Sequence, residues 1–309
     1  MKTGVPPRSA PSPLSAEHLA AMGSLELAAR IVVDGAQAGA HRSVRRGGGT
    51  EFRQHRPYHP GDDLKYLDWK LLARTDRLHT RQFREATRLE AMLVVDTSAS
   101  MAFPEAGVSK LNYAAILAAS LARVIITQGD ACGLLTAGDG RLDYLPARGG
   151  RPQLRALTGR IGALSGRGAW DAPRAIERGA ELLGRRGVLL VLSDFYDDEE
   201  GTRAALTRAA RGGHDVAMLQ LLAEAELTLP AHGEVEFQDL ESGARRVVHA
   251  RAAAGSYAAA VQAFLTRCRT GAARAGVDYH LATTADAPAS ALRAFLLRRN
   301  AAAHAAGAR

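Results

Sequence analysis

The sequence predicts an α/β fold: a doubly wound, mostly parallel sheet with an irregular basic N-terminal subdomain and a small β-hairpin insertion. Three features lead there. Short continuous apolar runs recur at Ala91–Asp96, Cys132–Gly138, Val188–Leu192, Val216–Leu222 and Val277–Ala282, as in strands buried on both faces. Segments of helical periodicity separate them, so strand and helix alternate as in βαβ units. The first run ends in Asp96 and the third is followed at once by Ser193-Asp194, at the carboxyl edge where such sheets bind ligands.

Composition sets the outer limits. The 309 residues are 47% hydrophobic and 23% charged, with a formal net charge of +8, which fits an ample core and excludes a largely disordered chain. Cys132 and Cys268 are too few for a disulfide framework and lack CxxC spacing, so they read as reduced thiols. The longest apolar stretch, Tyr113–Thr127, is broken by Arg123 and falls short of the about 20 residues of a membrane span. The Pro- and Ser-rich residues 1–15 have no apolar signal core and read as a disordered leader. A cytoplasmic location is expected.

Residues 16–90 form the first folded unit. Ser15 is placed to N-cap a helix, with Glu17 in its first turn. Leu25, Ala28, Ala29 and Val32 mark one face of a helix over Leu19–Ala40, and Gly39 with His41-Arg42 suits its end. In residues 41–90, twelve Lys/Arg against seven Asp/Glu leave a net of five positive charges. Gly47–Gly49, Pro57, Pro60 and Gly61 punctuate this stretch as turns, and Phe52, Tyr58, Tyr66, Trp69 and Phe83 lie among the charges. Bases and aromatics together allow a nucleic-acid face; the interleaved acids favour internal pairing.

Residues 91–300 form the α/β domain. Strand 91–96 leads to a helix over 110–128 and strand 132–138, and Asp139-Gly140 turns the chain into an antiparallel edge at Leu142–Leu145. Helices follow at 151–164 and 172–185, then strand 188–192, a helix at 200–212 and strand 216–222. A hairpin inserted at about 230–250 turns at Glu241-Ser242-Gly243. A helix at 255–275, strand 277–282 and a helix at 288–300 complete the domain, and residues 301–309 are expected to fray.

The chemistry-bearing residues sit at the strand ends. Asp96-Thr97-Ser98-Ala99-Ser100 puts a carboxylate and two hydroxyls in one turn, and Asp194 adds a second carboxylate. These hard oxygens suit Mg²⁺, Mn²⁺ or Ca²⁺ rather than zinc. Such residues also serve simply as loop caps; the second strand-end aspartate tips the reading toward a divalent cation with one position open to an acidic group of a partner. The enzymatic alternative is a metal-dependent phosphoester hydrolase, although clustered acids and histidines for a two-metal centre are scarce. An Asp-x-Asp phosphoryl-transfer nucleophile is not present, because Ser98 stands where the second acid belongs. The chain holds no Gly-x-Ser-x-Gly elbow, P-loop or HExxH pair.

Taken together, Gly49-Thr50-Glu51-Phe52, Arg56-Pro57-Tyr58, Pro60-Gly61-Asp62-Asp63, Asp68-Trp69-Lys70 and Ala73-Arg74 resemble the signature of the bacterial domain-of-unknown-function-58 proteins. Asp96-x-Ser98-x-Ser100-Met101 resembles the von Willebrand factor A module that follows it in that family, and Leu229-Pro230, Gly233, Phe237, Asp239–Glu241 and Gly243 fit as well. The resemblance implies a von Willebrand factor A-like domain, a metal-ion-dependent adhesion site and no established enzymatic activity. It also implies a role beside a MoxR-type AAA+ ATPase as an adaptor acting on an unknown client protein. Carried over, Asp96, Ser98 and Ser100 form the first metal loop and Asp194 the later ligand to Mg²⁺ or Mn²⁺. The middle loop of such sites supplies a threonine. Here Trp170 stands in its place, and an indole offers only an N–H donor, so the set is one ligand short or Asp171 substitutes.

Overall fold

A computed structural model describes residues 14–37, 51–60, 62, 67–84, 88–105, 107–184, 186–196, 198–229, 232–238, 240 and 244–307. The chain opens with two helices. α1 (Ala16–Ala20) is capped by Ser15, whose Oγ accepts the His18 N–H at 3.4 Å, and α2 (Leu25–Gln37) follows. Between them Gly23 has φ +66°, a left-handed conformation that ends a helix and that glycine adopts without a Cβ clash. The single helix expected over 19–40 is therefore two, and residues 38–40 lie outside the described residues. Ala28, Ala29, Val32, Val33 and Ala36 are buried along α2, which packs on later helices of the α/β domain. The N-terminal helices thus belong to that domain rather than to the basic segment.

The basic segment is more regular than its sequence suggests. β1 (Glu51–Pro57) and β2 (His79–Arg84) pair antiparallel, with Phe52 opposite Phe83. Between them lies α3 (Trp69–Thr75), capped by Asp68, whose Oδ1 accepts the Lys70 and Leu71 N–H groups at 3.0 Å each. Arg56 pairs with Asp62 at 2.6 Å, and Asp62 also accepts the His59 N–H at 3.1 Å and the Thr80 hydroxyl at 3.3 Å. The His59 N–H, with help from Arg56, holds the Asp62 carboxyl below the usual carboxylate range. Gly47–Gly49, Gly61, Asp63 and Tyr66 lie outside the described residues.

The α/β domain begins with β3 (Glu90–Asp96). A short antiparallel pair, β4 (Pro104–Glu105) and β5 (Val108–Ser109), precedes α4 (Lys110–Thr127). β6 (Ala131–Gly138), β7 (Arg141–Arg148), α5 (Arg151–Gly162), α6 (Ala172–Leu182), β8 (Val188–Ser193), α7 (Glu199–Arg211) and β9 (Asp215–Leu222) follow. β10 (Glu234–Gln238) and β11 (Arg245–His249) form the inserted hairpin, whose turn at 241–243 lies outside the described residues. α8 (Ala250–Ala275), β12 (Asp278–Thr283) and α9 (Pro288–Gly307) complete the chain. The stretch expected to fray is helical to Gly307, consistent with the helix preference of its alanines.

Among the described residues, six strands form the central sheet in the order β12-β9-β8-β3-β6-β7. All neighbours are parallel except β6 and β7. Asp139 (φ 51°) and Gly140 (φ 70°) supply the two positive φ values of the tight turn between that antiparallel pair. From β3 the chain moves first to β6 on one side and later to β8 on the other, so the topological switch lies between β3 and β8.

Alternation along the strands builds two cores. Leu93, Val95, Leu190, Leu192, Leu219 and Leu221 face the layer of α4, α5, α2 and α9, while Met92, Val94, Leu189, Val191 and Met218 face α6, α7 and the end of α8. α4 has the length and apolar composition of a membrane-crossing helix, but 78% of it is buried inside the protein, between the sheet and α2, α5 and α9. A helix apolar all round is what such a central position requires.

Candidate functional site

Asp96 ends β3, and the neighbouring β8 ends at Ser193, so the parallel register brings the two side chains together. Ser193 Oγ donates to Asp96 Oδ2 at 2.6 Å, and the Ser98 N–H donates to Asp96 Oδ1 at 2.8 Å. Ser98 Oγ lies 2.9 Å from Ser100 Oγ, and Ser100 Oγ donates to Asp194 Oδ2 at 2.8 Å. Asp96 and Ser98 are fully buried, and Asp194 is 2% exposed. Four of the candidate ligands, Asp96, Ser98, Ser100 and Asp194, therefore converge at the switch point of the sheet.

Asp171 does not join them. Its side chain is exposed and caps α6 by accepting the Arg174 N–H at 3.0 Å, a use of aspartate that satisfies an otherwise orphaned helical donor. The loop before it does reach the DxSxS turn: the Ala99 N–H donates to Gly168 O at 2.7 Å and the Arg167 N–H to Thr97 O at 2.8 Å. Trp170, in the threonine's place, is 4% exposed and packs edge-on against Phe195 with centroids 6.3 Å apart. Its Nε1 has no hydrogen-bond partner. Trp170 thus contributes an apolar side chain where a threonine would offer a hydroxyl.

The centre contains a cation of its own. Lys110 opens α4 and is 0% exposed. Its Nζ donates to Asp194 Oδ2 at 2.7 Å and to Glu226 Oε1 at 2.6 Å, and it lies 5.1 Å from the centre of the Tyr196 ring. Glu226, in the short 3₁₀ turn after β9, is held in turn by the Ala223 N–H on its Oε2 at 2.7 Å. Burial works against the Lys110 charge, but Asp194 and Glu226 outweigh it and raise the ammonium's pKa above its ordinary value. Burial and the neighbouring Asp194 raise the Asp96 carboxyl well above the usual carboxylate range, against the hydrogen bonds from Ser193 and Ser98. Burial also raises Glu226, against the pull of Lys110.

This donor set does not fit a divalent cation. Both Asp96 oxygens accept hydrogen bonds, and Asp194 Oδ2 is shared by Ser100 and Lys110. An ion bound to that oxygen would sit beside a buried ammonium. At ~4 Å and an effective dielectric constant of about 20, a doubly charged ion and a single positive charge repel by ~8 kcal/mol. Of the residues expected from sequence as metal ligands, Asp96, Ser98, Ser100 and Asp194 form one hydrogen-bonded cluster that includes Lys110, and Asp171 caps α6. Lys110 and Glu226 were not singled out from sequence, and Ser193 was named only as the neighbour of Asp194. One signal was available for Lys110: a cation in the first turn of a helix opposes the helix dipole, so it needs a reason to be there.

The signature residues have structural roles on the basic segment. Arg56, Asp62 and Asp68 supply its ion pair and cap. Tyr58 is half-buried and its N–H donates to Leu78 O at 3.0 Å. Arg74 is exposed on α3, and Trp69 is 63% exposed. Glu51 and Phe52 lie in β1.

The chain is 36% identical over 236 residues to uncharacterized proteins of Mycobacterium tuberculosis and Mycobacterium bovis, covering 74% of this chain and 72% of theirs. Among solved structures, the conserved hypothetical protein BatB from Bacteroides thetaiotaomicron is 18% identical with a TM-score of 0.48, over 68% of this chain and 98% of that one. The SpRpn10 VWA domain is 11% identical with a TM-score of 0.43, over 67% of this chain and 94% of that one. The family model described as "Protein of unknown function DUF58" matches residues 54–264. The doubly wound sheet is von Willebrand factor A-like, and with more than half of its length matched the chain belongs to the DUF58 family.

Proposed function

We propose that this protein is a non-catalytic interaction module of the cytoplasm, an adaptor that joins a MoxR-type AAA+ ATPase to a client protein. The von Willebrand factor A-like fold is one used for protein interaction, and the partnership follows from the signature resemblance. The observation that carries the reading is Trp69. It is 63% exposed at the start of α3, whose Lys70 and Arg74 are also exposed. Tryptophan and arginine are enriched among the residues that dominate interface energetics, and α3 exposes one of each.

The docking face is then α3, and its basic character selects an acidic surface on the partner. The test is direct binding of the purified chain to the purified ATPase with nucleotide. A complex that Trp69→Ala weakens at least about tenfold, as for an interface anchor, supports the reading. Absence of a complex, or one indifferent to both Trp69→Ala and Arg74→Glu, refutes it.

A further inference from the structure

We infer that the ammonium of Lys110 is this protein's built-in cation at the Asp96/Ser98/Ser100/Asp194 centre, and that the centre neither needs nor admits a divalent metal. A hard divalent ion at these turns would draw on Asp194 and the hydroxyl of Ser100. Those oxygens are already tied together at 2.8 Å, and Asp194 Oδ2 also takes the Lys110 Nζ at 2.7 Å. An ammonium has three N–H donors. Two are used by Asp194 and Glu226, and the ammonium sits over the Tyr196 ring with its centre 5.1 Å away.

No water-facing side remains, because Lys110 is wholly buried. The ring that covers it is itself backed by Phe264, stacked at 5.2 Å. Trp170, at the sequence place of the threonine, is buried against Phe195, and its indole offers no lone pair to a metal. The positive charge is therefore delivered by the chain during folding rather than by an ion from solution.

The arrangement also joins parts of the fold that a small ion would not reach. Lys110 begins α4, Asp194 follows β8, and Glu226 sits in the turn after β9. Tyr257 of α8 donates to Glu226 O at 2.8 Å, and Phe237 of the inserted hairpin packs on Tyr257 at 5.7 Å. The ammonium is thus the hub that fastens the carboxyl edge to the hairpin and α8. The packing of this edge is consequently insensitive to chelators.

Two measurements on the intact wild-type chain test this, whatever the outcome with the ATPase. In the first, Mn²⁺ is titrated and free ion is followed by electron paramagnetic resonance. We expect no uptake at millimolar Mn²⁺, and an unchanged Tm in Mg²⁺ and in EDTA. In the second, the native protein is treated with an amine-acetylating reagent and digested for mass spectrometry. We expect Lys110 to be protected while the exposed Lys70 reacts, with and without Mg²⁺. Stoichiometric Mn²⁺ uptake that is lost in Ser100→Ala, or Mg²⁺-induced acetylation of Lys110, overturns the inference. A Mn²⁺ site gained by Lys110→Ala, which vacates the position, supports it.

Discussion

Lys110 Nζ and Asp194 Oδ2 lie 2.7 Å apart with side-chain exposures of 0% and 3%, 84 residues apart in sequence. Removing one member of a buried ion pair leaves the other charged without compensation, which costs about 3–5 kcal/mol. Lys110→Met strands both Asp194 and Glu226, whereas Asp194→Asn leaves Lys110 its bond to Glu226. Urea unfolding should therefore show a larger loss for Lys110→Met than for Asp194→Asn. The double variant should lose less than the sum, because the two changes share one interaction.

Trp170 gives a second prediction. Trp170→Thr supplies the hydroxyl that the sequence resemblance implies for this place, yet it empties a buried volume against Phe195. Large-to-small changes of this kind cost about 3–5 kcal/mol. Calorimetry should show that destabilisation, and Mn²⁺ titration should show no uptake, because Lys110 is still in place.

The loop that carries Trp170 is held close to the DxSxS turn by glycines. A Cβ on Gly166 would lie 2.7 Å from Ser98 O and 2.9 Å from Ala102 Cβ. Gly168, at φ +59°, would place one 2.7 Å from Asp139 Oδ1. Gly166→Ala should cost about 1–3 kcal/mol through overpacking. Gly168→Ala adds the left-handed backbone penalty of a non-glycine residue. Denaturant midpoints with unchanged m-values check both.

His280 on β12 predicts a pH dependence. It is 8% exposed and packs on Phe295 at 5.9 Å. Burial, with the charge of Arg298 adding to it, holds its pKa below the ordinary value. The unfolded chain takes up a proton as pH falls through about 6.5, while the folded chain resists. This contribution to stability is full above that pH and is lost below it, by up to about 1.4 kcal/mol per pH unit. His280→Leu should remove that part of the acid limb in urea unfolding between pH 7 and 5.

Trp69→Ala, by contrast, should leave stability within about 0.5 kcal/mol of wild type, since an exposed side chain has little packing to lose. A larger loss in thermal unfolding would mean that the indole serves the fold rather than a partner.

Much of this architecture was written in local sequence. Continuous apolar runs such as Val188–Leu192 and Val216–Leu222 mark strands covered on both faces, and Asp139-Gly140 marks the one antiparallel turn of the central sheet. These signals survive because they depend on periodicity and on backbone conformations of neighbouring residues. The helix expected over 19–40 shows the limit of periodicity: its apolar spacing continues through Gly23, where the backbone turns left-handed. The basic segment shows another, since the β1–β2 ladder pairs residues about thirty apart through turns whose chemistry gives no register.

The candidate site divides the same way. Residue type and strand-end position alone point to Asp96, Ser98, Ser100 and Asp194 at one edge. Which cation they face was decided only by tertiary structure. Lys110 belongs to a different element and finds Asp194 and Glu226 84 and 116 residues downstream. Asp171 bonds its own helix instead. An oxygen-rich turn accepts an ammonium as readily as a metal, because both satisfy the same lone pairs. Only the path of α4 across the sheet determines that the positive charge comes from within the chain.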